Sequence, residues 1–204
     1  MAWNLFGFGI LLLLAGSQVL VAQQNWKPAL EKEGIRVLTA KAPGKKFKSY
    51  RVEARVKAPL QRVLNALLQP DSYCRWIDRC LESRRLENSR GDTLWVYSAT
   101  DAPWPVSDRD NVTRLVLHSC GSDSIRIELR DFPEKMPPRK GRQRIPSMEG
   151  FWELKAQSPG ETSIVQQISA DPGGSLPAWF VNQFLAESPF KTMRNLKRLL
   201  EKAP

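Results

Sequence analysis

Three regimes of hydrophobic patterning divide the chain: an almost wholly apolar run, a long region of period two, and a closing region of helical period. The run extends from Leu5 to Val21 and stops at Ala22. A short polar lead, Gln23 to Leu30, carries Pro28. Gly34 to Ala40 reads as a first strand, followed by a Pro43-Gly44-Lys45-Lys46 turn. Next, Tyr50, Val52, Ala54 and Val56 alternate with Arg51, Glu53, Arg55 and Lys57, the signature of a half-buried strand. Pro59 opens a helix through Leu68, with Val63, Leu64 and Leu67 at helical spacing, and Pro70 closes it. A connector centred on Trp76 joins Asp71 to Asp78.

Strands then dominate, over Cys80 to Glu87, Asp92 to Thr100, Asn111 to His118 and Ser124 to Arg130. The Asp92 to Thr100 strand is apolar on both faces, with Leu94 and Val96 opposite Trp95 and Tyr97, so it is either sandwiched in a core or lines a cavity. Asp131 to Pro146 reads as a long loop, of the kind that tends to be functional or mobile. Met148 to Ala156 and Thr162 to Ser169 make a further hairpin. From Pro177 to Lys202 the period becomes helical, with Val181, Phe184, Leu185, Leu196 and Leu199 on one side. Pro189 predicts a kink or break at Ser188. Segregated strands with a terminal helix indicate an α+β domain, satisfied by a curved antiparallel sheet wrapped on the long helix.

Composition changes this picture at the amino terminus. The apolar run ending at a small residue fits a secretory signal over residues 1–22, leaving residues 23–204 as one domain. No Lys or Arg precedes the run, and an uncleaved anchor is the competing reading. Cleavage near Ala22 is the expectation, placing the chain in the periplasm or outside the cell. All charged side chains lie after the run, so the formal net charge of +10 belongs to the domain. Such a charge suits transient contact with an anionic membrane surface through Lys135, Arg139, Lys140, Arg142 and Arg144. Export argues against nucleic acid as the partner. Of Cys74, Cys80 and Cys120, the first two are the nearest pair for a disulfide.

Candidate chemistry is sparse. His118 is the sole histidine, no nucleophile elbow is present, and the cysteines offer no metal-site spacing. The expectation is no cofactor and no metal. Asp101, Asp108 and Asp110 surround Arg109, which reads best as an ion-paired turn, because an adjacent arginine holds a carboxylate ionised. Asn111-Val112-Thr113 matches a glycosylation triplet but falls in a strand.

Trp104-Pro105-Val106-Ser107-Asp108-Arg109-Asp110 resembles the Arg-Asp signature of the START (StAR-related lipid transfer) family. Arg144-Ile145-Pro146, Gly150-Phe151-Trp152 and Ala170-Asp171-Pro172-Gly173-Gly174-Ser175-Leu176-Pro177-Ala178-Trp179 continue the likeness in order. It spans Gly34 to Leu200 and is strongest toward the exported bacterial branch. The resemblance implies a helix-grip fold, a hydrophobic tunnel, and non-enzymatic binding of one lipid or other hydrophobic small molecule under a lid. Trp95, Tyr97, Trp152, Phe180 and Phe184 are the expected apolar lining, with Arg109 and Gln166 as polar contacts; ordinary core packing is the alternative for the former. Sterol-binding relatives carry an arginine six residues after that of the pair, where Leu115 stands here. Arg114 falls on the opposite strand face, which argues against sterol specificity. The enzymatic alternative, a cyclase-like use of the same pocket, would depend on His118.

Overall fold

The computed structural model describes residues 24–41, 44, 46–87, 89–104 and 106–202. The expected signal segment, 1–22, therefore lies outside the described residues. Ten strands occur in chain order: β1 (Lys27–Lys32), β2 (Ile35–Ala40), β3 (Ser49–Val56), β4 (Cys80–Arg85), β5 (Thr93–Thr100), β6 (Asp108–Ser119), β7 (Ser124–Asp131), β8 (Arg142–Arg144), β9 (Ser147–Ser158) and β10 (Glu161–Asp171). Helix α1 (Leu60–Leu67) follows β3, and α2 (Ala178–Glu201) closes the chain. The sheet order is β1-β2-β3-β10-β9-β7-β6-β5-β4, antiparallel throughout, while β8 pairs parallel with β6. The expected α+β helix-grip architecture is what forms.

Alternation along the strands decides what faces α2. Val52, Ala54 and Val56 of β3 are buried with Ile127, Trp152, Leu154 and Ile164. Onto them pack α1, through Val63, Leu64 and Leu67, and the second half of α2, through Phe190, Met193, Leu196 and Leu200. Gly150 lets β9 approach β10: a Cβ there would lie 2.0 Å from the Gln167 carbonyl oxygen. No larger residue fits.

Three expectations need correction. The polar lead is strand β1, an edge strand too exposed for its sequence to alternate, in which Pro28 is tolerated because edges leave N–H groups unpaired. The long loop contains β8, held to β6 by only three residues. Helix α2 is not broken at Ser188; it runs through a buried Pro189. A proline costs one helical hydrogen bond and crowds the preceding turn, and tertiary packing of Phe190, Met193 and Leu196 overrides that cost.

Candidate ligand cavity

Sheet and helix do not meet everywhere. Between the concave face of the sheet and the first half of α2 lies a cavity of about 430 Å³, within the range typical of small-molecule sites. Leu115, Leu129, Trp152 and Ile168 come from the sheet, and Phe180, Val181, Phe184 and Leu185 from the helix. The two halves of α2 are held differently. Near its end, Arg62 Nη2 donates to the Lys202 carbonyl at 2.7 Å, and the Lys57 N–H to Glu201 Oε1 at 2.9 Å. Thr192 Oγ1 accepts from the Asp78 N–H at 3.0 Å. Over the cavity, Asn182 Oδ1 accepts only a long bond, 3.4 Å, from the Lys48 N–H. Trp179 is 64% exposed and Phe184 38%, so this half covers the cavity without sealing into a core.

Of the residues expected to line a tunnel, Trp152, Gln166, Phe180, Phe184 and Arg109 border the cavity. Trp95 and Tyr97 do not. Both lie on the opposite face of β5, under the segment between β7 and β9. Trp95 meets Phe132 edge to face at 5.1 Å, with the Lys135 ammonium 4.7 Å from its ring centre. Tyr97 lies beneath Arg139 and Arg84, donates to Asp110 Oδ2 at 3.1 Å and accepts from Arg142 at 2.7 Å. The strand is buried on both sides, as its pattern indicated, but one side is covered by a loop.

That same loop spends the basic cluster. Arg139 and Arg142 bridge Glu82 at 3.0 and 2.8 Å, and the Arg142 bond holds the Glu82 carboxyl below its ordinary range. Arg144 forms a two-pronged ion pair with the fully buried Asp110 at 2.9 and 3.0 Å, and donates to the Pro133 and Met136 carbonyls. Four of the five cations proposed to meet a membrane are thus engaged within the protein.

Arg109 and Asp110 part company because β6 alternates. Asp110 faces the loop, while Arg109 faces the cavity end, donating to the carbonyls of Pro172 (3.3 Å), Gly173 (3.4 Å) and Ser107. Among the described residues no carboxylate lies within ion-pair distance of Arg109, contrary to the expected ion-paired turn; burial lowers its pKa, against the opposing pull of the nearby Asp108 charge. Asp101 instead binds Arg79 at 2.6 Å, and Asp108 accepts from the Ala102 N–H. The Pro172 and Gly173 contacts fasten the Gly173-Gly174 turn, where both residues have positive φ, to β6 just ahead of α2.

A polar strip missed by the sequence reading crosses the cavity wall. Ser98 Oγ donates to Asn111 Oδ1 at 2.6 Å, Asn111 Nδ2 to Thr113 Oγ1 at 2.6 Å, and Thr113 Oγ1 to Asp131 Oδ1 at 2.6 Å. Ser98, Asn111 and Thr113 border the cavity, and Asp131 stands behind them. Burial pushes the Asp131 carboxyl up to about 7, against the opposing pull of these hydrogen bonds. Asn111, the would-be glycosylation acceptor, is buried with its amide engaged. Leu115 borders the cavity and Arg114 lies on the other face, over Phe132 at 4.8 Å. His118 is also on that outer face, 3.6 Å from Glu128. Cys74 and Cys80 form a disulfide, while Cys120 is free and exposed. Among the described residues no cluster of His, Cys, Asp and Glu could hold a metal ion.

A long sheet closed on a C-terminal helix around an apolar cavity defines a helix-grip protein. The chain belongs to the START domain family, whose profile matches residues 14–204. It is 33% identical over 181 residues to the uncharacterized protein PA1579 of Pseudomonas aeruginosa, covering 88% of each chain. Among solved structures it is similar to the STAR-related lipid transfer protein of Xanthomonas axonopodis. That match has a TM-score of 0.80 at 32% identity and covers 87% of this chain and 99% of the other. It is also 28% identical to the mitochondrial steroidogenic acute regulatory protein of Equus caballus, over 91% of this chain and 67% of that one.

Proposed function

We propose that this chain binds one lipid or similarly apolar small molecule, non-covalently and without catalysis, in the cavity beneath α2. The observation that carries the reading is the cavity itself: about 430 Å³ bordered mostly by apolar side chains, where the sheet and helix could have packed solidly. Burial of a ligand's apolar surface there contributes about 25 cal/mol per Å². The name of the Xanthomonas relative, a lipid transfer protein, agrees with this, and Leu115 speaks against a sterol-specific site. The catalytic use has weak support among the residues first considered: Asp101 borders the cavity but is ion-paired with Arg79 at 2.6 Å. His118 is on the far face of the sheet, and Asp131 stands behind Asn111 and Thr113. Export to an oxidising compartment is part of the proposal, supported by the apolar run at residues 5–21 and by the Cys74–Cys80 disulfide.

Uptake of a fluorescent nitrobenzoxadiazole-labelled stearate tests the reading. Leu115→Trp and Leu185→Trp fill the cavity from its two sides. Each is expected to weaken uptake at least about tenfold, with the fold retained at an overpacking cost of roughly 1–3 kcal/mol. Undiminished uptake by both folded variants would place the ligand elsewhere.

A further inference from the structure

Two buried polar atoms beside Trp152 have no partner among the described residues. Gln166 on β10 stands directly across from Trp152 on β9. Trp76 meets Trp152 edge to face, their ring centres 6.2 Å apart. All three side chains border the cavity, at the end adjoining the core residues Tyr73 and Phe190. Among those residues Gln166 Oε1 accepts nothing and Trp76 Nε1–H donates to nothing, although both atoms are buried. Gln166 is 8% exposed and Trp76 2%. Buried polar groups are paired as a rule, and each exception asks for a cause.

The chemistry of the two atoms is complementary. An indole N–H can only donate, and a carboxamide oxygen can only accept. A hydrocarbon satisfies neither atom. An ether or ester oxygen satisfies Trp76 alone, and a carboxylate would set negative charge against the Gln166 oxygen. A hydroxyl both accepts and donates. The aromatic surroundings strengthen each bond, since a low local dielectric makes hydrogen bonds stronger and unpaired groups costlier.

We propose that the ligand is a lipid bearing a hydroxyl group, held at this pair with Trp76 donating to its oxygen and Gln166 accepting its proton. The proposal rests on the cavity-binding reading and adds to it the ligand's class and orientation. The hydroxyl end lies against the core, and the apolar chain runs beneath α2 toward Phe180 and Phe184.

Displacement of the labelled stearate by hexadecanol, by methyl pentadecyl ether of equal heavy-atom count, and by hexadecane tests this. With the unaltered protein, hexadecanol is expected to displace the probe about tenfold more tightly than the ether, a difference of ~1.4 kcal/mol. Gln166→Met, which keeps the side chain's length, should shrink that advantage below about threefold while leaving the ether's affinity unchanged. Equal displacement by alcohol and ether, or an advantage that survives Gln166→Met, would overturn the hydroxyl pair while leaving the cavity reading intact. Failure of the probe and all three competitors to bind would overturn both. The comparison on the unaltered protein decides the matter even where Gln166→Met proves unstable.

Discussion

Arg109 and Asp110 adjoin in sequence and serve opposite faces of β6. Asp110 anchors the covering loop through Arg144; Arg109 fastens the turn that launches α2. The residue with the sharpest measurable consequence is Asp131. Its carboxyl titrates near 7 in the folded protein against an ordinary 3.8. A raised acid favours folding below its unfolded pKa, and that contribution is lost as pH rises through the folded value. Three pKa steps correspond to roughly 4 kcal/mol. Asp131→Asn, which keeps the shape and removes the charge, should therefore raise stability at pH 8 by up to a few kcal/mol and change it little at pH 4. Urea unfolding at the two pH values checks this, and equal shifts at both would contradict it. Neither this carboxyl nor its hydrogen-bonded strip was legible beforehand. Asn111 and Thr113 stood out only as part of a glycosylation triplet in a strand, and a polar residue lining a cavity leaves the same period-two pattern as one facing solvent.

At the scale of elements, apolar alternation located most strands and both helices to within a few residues. What escaped was whatever did not alternate. β1 is almost wholly exposed, and β8 is three charged or polar residues pinned by ion pairs made across the fold. Trp95 and Tyr97 were assigned to the cavity because a strand without a wet face has two explanations. Only the placement of Phe132, Lys135 and Arg139 selects a covering loop. Helix α2 shows the converse: Pro189 predicts a break, but the chain's last apolar residues hold the helix through it. Since Pro189 has no N–H, the Leu185 carbonyl lacks its helical donor, at the junction of the anchored half and the covering half. Pro189→Ala restores that donor and should stiffen the cover. Exchange of bound labelled stearate, followed by stopped-flow fluorescence, is expected to slow about threefold or more, given a proline cost near 3 kcal/mol in a helix interior. Exchange as fast as in the unaltered protein would show that the covering half does not gate entry.

For the whole molecule, the balance of filled and empty space is the decisive property, and it is the one a sequence conveys least. Trp152, Leu154 and Ile164 are similar apolar residues on neighbouring strands. Trp152 borders the cavity, while Leu154 and Ile164 lie in solid core. The difference arises because the second half of α2 is tied down through Thr192, Glu201 and Lys202 while the first half is not. The central claim is that the resulting space has a natural occupant. Native mass spectrometry of the protein purified without detergent measures this most directly. The expected spectrum contains a species heavier than the polypeptide by the mass of one hydroxylated lipid, released when the protein is denatured. Bare polypeptide in repeated preparations, with no adduct gained from an added lipid mixture, would contradict it.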